Sequence, residues 1–128
     1  MSAAQDRAEA LIRARCTVDG ICILPEWPGY ARRIVAALEG VDRLGWGALR
    51  EAFGTEEYDG AYGGDLVVRH LVDDGVIERV FWDVTTGQEV EGPADLHALM
   101  VRLSAPEWQT WAASTCIGYR FARHVIEA

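Results

Sequence analysis

Gly75 divides two stretches of opposite periodicity, and few folds accommodate both. Before it, residues 65–72 (DLVVRHLV) place Leu66, Val67, Leu71 and Val72 on one wide helical face. The glycine then serves as a helix stop. After it, residues 76–82 (VIERVFW) are rich in β-branched and aromatic side chains and predict a strand. Residues 83–87 form a polar turn ending in Gly87, and 88–91 are expected to return as a second strand.

The upstream chain supplies two helices that can pack against this unit. Residues 29–39 place Tyr30, Ile34, Ala37 and Leu38 at helical spacing, with Gly40 after them. A short strand over 41–44 is expected next. Residues 46–53 predict a helix with Leu49, Ala52 and Phe53 inward and Gly54 as its stop.

Helix, short strand, helix, helix, strand, turn, strand resembles the winged helix-turn-helix superfamily, including its MarR-like and ArsR-like members. The junction HLVDDGVIERV is similar to the leucine–glycine–hydrophobic junction common there. The resemblance covers about residues 30–90. It implies a mainly α fold with a small β wing: a winged-helix core over 30–91, with extra N- and C-terminal helices. One departure stands out. Residues 55–64 (TEEYDGAYGG) read as an acidic, glycine-rich insertion where the family has a turn of about three or four residues.

The flanks complete a single domain of 128 residues, with 1–29 and 92–128 outside the core. Residues 2–15 predict a helix with a capping box from Ser2 and Gln5 and an inner face of Ala4, Ala8, Leu11, Ile12 and Arg15. Asp19-Gly20 predicts a type I′ hairpin pairing Val18 with Ile21 and Thr17 with Cys22, the alternative being a plain loop. Alternation then sends Cys16 and Cys22 to opposite faces, unable to bridge. Pro25 to Pro28 read as a rigid connector. Residues 94–103 predict a helix with Leu96, Leu99, Met100 and Leu103 on one side. A long last helix is expected over 105–126. Its stripes are Trp108, Trp111, Ala112, Thr115, Tyr119, Ala122 and Ile126, and Ile117, Phe121 and Val125. So wide an apolar arc is expected either to be central to the core or to be shared with a partner, in a homodimer through this C-terminal helix.

Charge constrains the partners. The net charge is −8, and the basic residues are all arginine. Such a field opposes nonspecific binding to nucleic acid and anionic membranes. No apolar run reaches the ~18 residues needed to span a bilayer, and the N-terminal stretch has no signal-peptide core. A cytoplasmic location, with no membrane association, is the expectation.

Motifs for chemistry are missing. There is no phosphate-loop GxxxxGK, HExxH, nucleophile elbow, dinucleotide fingerprint or EF-hand spacing. Three cysteines form no disulfide framework, and Cys16 and Cys22 lack CxxC spacing; three free thiols and no metal are expected. His70 and His124 read as a boundary residue and a helix-end charge. No catalytic residue, cofactor or metal is assigned, and an enzyme is not expected.

Two functions remain. From residue 55 to 91 the acids are Glu56, Glu57, Asp59, Asp65, Asp73, Asp74, Glu78, Asp83, Glu89 and Glu91, and the bases are Arg69 and Arg79. That sign suits docking to a basic protein partner rather than neutralising phosphates. The expected docking residues are Glu56, Glu57, Tyr58, Asp59, Tyr62, Asp73, Asp74 and Trp82. A basic partner is often itself a nucleic-acid-binding protein. An acidic module of this size can occupy its groove, as DNA-mimicking and anti-CRISPR inhibitors do. The alternative is a DNA-binding transcriptional regulator reading through Arg50, Arg69 and Arg79.

Overall fold

The computed structural model describes residues 2–53, 58–93 and 95–122, and of residues 58–62 the backbone only. These residues form a mixed α/β fold of six α-helices and two small antiparallel sheets.

Helix α1 (Ala3–Arg15) starts where Ser2 Oγ accepts from the Gln5 amide at 3.0 Å, which satisfies one of the first-turn donors. It buries Ala8 and Ile12. Strands β1 (Thr17–Val18) and β2 (Ile21–Cys22) form the expected hairpin, in the expected register. Asp19 and Gly20 both have positive φ, at 52° and 80°, as a type I′ turn requires. Helix α2 (Trp27–Leu38) begins two residues before the sequence expectation, because Pro28 sits in its first turn, where no amide donor is needed. It buries Tyr30, Ala31, Ile34, Val35 and Leu38. Arg32 ties α2 to α1, donating to Asp6 at 2.6 Å and to Glu9 through Nε at 3.2 Å.

Strand β3 (Leu44–Gly45) leads directly into α3 (Trp46–Phe53), which buries Leu49 and Phe53. Helix α4 (Tyr58–Asp73) corrects the sequence reading. Most of the supposed insertion is the first half of this helix, and only 54–57 separate it from α3. Gly63 and Gly64 are there for contact rather than for flexibility. A Cβ on Gly63 would lie 3.1 Å from Trp27 Nε1 and 3.2 Å from Tyr30 Cε2. One on Gly64 would penetrate the Phe53 ring. The helix ends in a Schellman motif at Gly75 (φ 73°), where the Gly75 amide donates to the Val72 carbonyl and the Val76 amide to that of Leu71, both at 3.0 Å.

Strand β4 (Ile77–Asp83) and β5 (Glu89–Val90) follow, then α5 (Leu96–Ser104), capped by Asp95, which accepts from the Ala98 amide at 2.9 Å. The expected long terminal helix is not there. After Ala105 come a 3-10 turn (Pro106–Trp108), the short α6 (Gln109–Ser114) and strand β6 (Thr115–Phe121). The four-stranded sheet has the order β3-β6-β4-β5, so β6 lies between β3 and β4. It pairs with β4 along its full length, from Thr115 opposite Asp83 to Phe121 opposite Ile77. The reason is geometric. Thr115, Ile117, Tyr119 and Phe121 fall on one face of a strand as readily as they divide between two helical stripes, and pairing in register with β4 satisfies the backbone of both strands. The homodimer through a C-terminal helix loses that helix among the described residues.

The core joins Ala8 and Ile12 of α1, Ile34, Val35 and Leu38 of α2, Leu49 and Phe53 of α3, Val67, Val68 and Leu71 of α4, and Val76, Ile77 and Tyr119 at the sheet. Each fully buried aliphatic side chain contributes roughly 1.5–3 kcal/mol by removal from water. Among the described residues no helix is long and apolar enough to cross a membrane.

Candidate interaction surface

Helix α4 and strand β4 carry most of the residues singled out by charge. The acids fall into two groups. Asp73, at the end of α4, is exposed. Several others are neutralised within the molecule. Asp74 accepts from both arms of the Arg15 guanidinium, through Nε at 3.0 Å and through Nη2. That hydrogen bond holds its carboxyl below the ordinary carboxylate range. Glu78 and Glu89 both accept from Arg120, at 2.6 and 2.7 Å, across the outer sheet face. Asp83 accepts from the amides of Thr85 and Thr86 and so caps its own turn, which lowers its pKa.

Glu56 and Glu57 lie outside the described residues, as do the side chains of Tyr58, Asp59 and Tyr62, whose backbone opens α4. Trp82 is not the open aromatic expected of a docking patch. Alternation turns Phe81 toward the helices, where it meets Trp111 at 5.6 Å, and turns Trp82 to the other face. There the indole lies across Gly118, and the Arg43 guanidinium stacks over it at 4.2 Å. Arg43 is anchored in turn by donating to the Gly87 carbonyl at 2.6 Å.

The three arginines expected to read DNA behave differently from one another. Arg50 faces Asp65, with Nε 3.5 Å from Oδ1, and lies near the Trp46 ring at 5.7 Å. Burial pushes the Asp65 carboxyl up against the pull of Arg50. Arg79 donates to the Tyr119 hydroxyl at 3.3 Å and lies over that ring. Arg69 is exposed on α4. Arg69 and Arg79 meet at a cavity of about 340 Å³ between α4, the sheet and α5. Its apolar wall includes Val68, Leu96, Leu99, Leu103 and Ile117, with Trp46 and Tyr119 beside them.

Sequence reasoning missed this cavity. Its signal lies in the apolar side of 94–103, but the helical spacing of 105–126 assigns the partner surface, Ile117 and Tyr119, to a helix rather than to β6. Cys16 and Cys22 also correct the sequence reading. Their sulfurs lie 3.3 Å apart, both as free thiols. Cys16 is the C-cap of α1 (φ −109°, ψ 16°) rather than an extended residue, so strand alternation does not govern its side chain. Among the described residues, no cluster of three or more histidine, cysteine or acidic side chains is placed to hold a metal.

Compared with known protein families, curated proteins and solved structures, the chain matches none.

Proposed function

We propose that this protein is a non-enzymatic, acidic interaction module of winged-helix type that docks on a basic protein partner. An inhibitor that occupies a nucleic-acid-binding surface of that partner is the form we favour. The order α2, β3, α3, α4, β4, β5 supports the winged-helix reading, with β6 added inside the sheet. The observation that carries the choice of partner is the state of the arginines. Arg50 and Arg79, which a DNA reader would present, are held by Asp65 and Tyr119, and α5 lines the cavity beside Arg69. The charge left at the exposed end of α4 is that of Asp73, in a chain of net charge −8. Such a face attracts basic surfaces and repels phosphates.

The DNA-binding alternative rests on exposed Arg69. One comparison separates the two. Partners captured from the source cell by the wild type should be basic, and should be lost as salt rises. They should also be lost when Glu56, Glu57, Asp59 and Asp73 are changed together to Arg. Tight, sequence-selective binding to a duplex, abolished by Arg69→Ala and Arg79→Ala, would overturn the proposal.

A further inference from the structure

We propose that Cys16 and Cys22 form a redox-modification site that exchanges with low-molecular-weight disulfides of the glutathione type, Cys22 making the first attack and Cys16 closing the bond. The two sulfurs lie 3.3 Å apart, so a modest approach brings them to the bonded distance of about 2.0 Å.

The fold holds both thiols in place. Cys16 ends α1, where its amide donates to the carbonyls of Arg13 and Ile12 and its thiol donates to the Ile12 carbonyl at 3.1 Å. Cys22 lies on β2, opposite Thr17. The Asp19-Gly20 turn folds the chain back, and the Ile23 amide donates to the Cys16 carbonyl at 2.8 Å. Pairing across the hairpin thus brings the two sulfurs together.

Their exposures assign the roles. Cys16 is 2% exposed, whereas Cys22 is half-buried. A reagent of glutathione size therefore meets Cys22. The Cys22 thiolate attacks one sulfur of the external disulfide and expels one thiolate, which leaves a mixed disulfide on Cys22. The Cys16 sulfur then attacks the Cys22 sulfur, breaks the mixed disulfide and expels the second thiolate. Both cysteine protons pass through solvent to the expelled thiolates. Two electrons move from the protein dithiol to the external disulfide, which departs as two thiols. Burial, with the neighbouring Cys22 thiol, raises the Cys16 thiol to about 11. The Cys16 thiolate is therefore scarce, but it stands at attacking distance. Reduction must enter at the accessible Cys22 sulfur and expel Cys16, a poor leaving group, so the closed form is reduced slowly.

Closure acts on the hairpin. Strands β1 and β2 have two residues each, a length at which a two-stranded hairpin is marginally stable. Its side chains Val18, Ile21 and Ile23 are exposed. A Cys16–Cys22 bond clamps this hairpin to the end of α1. Cys116 lies in the other sheet, on β6 opposite Trp82, and serves as an internal control.

The test treats the full chain with glutathione disulfide, blocks remaining thiols with N-ethylmaleimide, and reads peptide maps and amide hydrogen exchange. The wild type should form the Cys16–Cys22 bond and keep no glutathione on either residue. Cys16→Ala should trap glutathione on Cys22, whereas Cys22→Ala should leave Cys16 unmodified. The wild-type map decides the matter where circular dichroism finds a variant unfolded. In the oxidised protein, exchange of the Ile23 amide should slow by roughly tenfold or more, within the stabilisation a disulfide usually supplies. Dithiothreitol should reduce the folded protein more slowly than the urea-unfolded one. No reaction of the folded wild type, a glutathione adduct that persists on its Cys22, a bridge containing Cys116, or glutathione on Cys16 in folded Cys22→Ala would overturn the assignment. So would unchanged exchange at Ile23, or equally fast reduction of folded and unfolded chains.

Discussion

Gly64 of α4 and the ring of Phe53 on α3 are in such close contact that the glycine has no room for a methyl group. Alanine there gains about 1 kcal/mol in helix propensity and loses about 1–3 kcal/mol by overpacking. Gly64→Ala should therefore destabilise the protein, by up to about 2 kcal/mol in urea unfolding. Combining it with Phe53→Leu should cost less than the two single changes added, because the leucine vacates the space the methyl needs. A more stable Gly64→Ala protein would mean that the two helices do not approach in this way.

Gly118 distinguishes a strand from a helix by the sign of one substitution. In a terminal helix, Gly118→Ala would stabilise by about 1 kcal/mol. In β6, the new Cβ would lie 2.5 Å from the Leu44 carbonyl oxygen and run into the Trp82 ring. Backbone on one side and a stacked indole on the other leave little room to adjust. A loss of about 1–3 kcal/mol is expected in denaturant unfolding, with quenching or shift of tryptophan emission as Trp82 is displaced.

Cys16 should make stability fall at alkaline pH. Burial, with the neighbouring Cys22 thiol, raises its pKa from 9.0 to about 11. The folded state thus keeps a proton that the unfolded state gives up, and stability declines as pH rises from about 9 through about 11. Cys16→Ala should flatten that part of the profile. A mild thiol oxidant should also join Cys16 to Cys22 and leave Cys116 free, which peptide mapping would show. A Cys116-containing bridge, or an unchanged alkaline profile in the variant, would contradict the contact.

The Arg15–Asp74 pair closes the C-terminal end of α1 onto the end of α4. Its carboxylate has a lowered pKa, so its contribution is present above the ordinary value of 3.8 and is lost as pH falls through the folded-state value. Asp74→Asn should cost up to about 1 kcal/mol at neutral pH, given the pair's partial exposure. Below the folded-state value wild type and variant should converge. Equal stability at neutral pH would show that the pair contributes nothing to the folded state. Asp73→Arg, which breaks no such pair, is the cleaner probe of partner docking.

Local chemistry was readable where one residue decides it. Asp19-Gly20 specified the first hairpin and its register, and Gly75 specified the end of α4. Residues 46–53 were bounded correctly as α3. The misreadings arose where distant partners decide. Gly63 and Gly64 look like a loop until Trp27, Tyr30 and Phe53 are known to press against the helix. Thr115, Ile117, Tyr119 and Phe121 satisfy both periods, and only the open edge of β4 selects the strand. The count of acids over residues 55–91 had the same weakness. Arg15, Arg50 and Arg120 all lie outside that window and meet Asp74, Asp65, Glu78 and Glu89. A local charge tally therefore overstated the free negative charge on this face.

The place of β6 in the sheet has a consequence for how the chain acquires its shape during synthesis. Strands β3 and β4 share no direct ladder and meet only through β6, which is translated more than thirty residues after β4 begins. A nascent chain that has reached the β4–β5 hairpin has the helices ready to pack but one edge of β4 open. Such an edge can pair with another nascent chain. Emergence of residues 115–121 from the ribosome is thus the step that closes the sheet. Substitutions that slow β6 insertion should reduce soluble yield more than their effect on the finished fold would suggest.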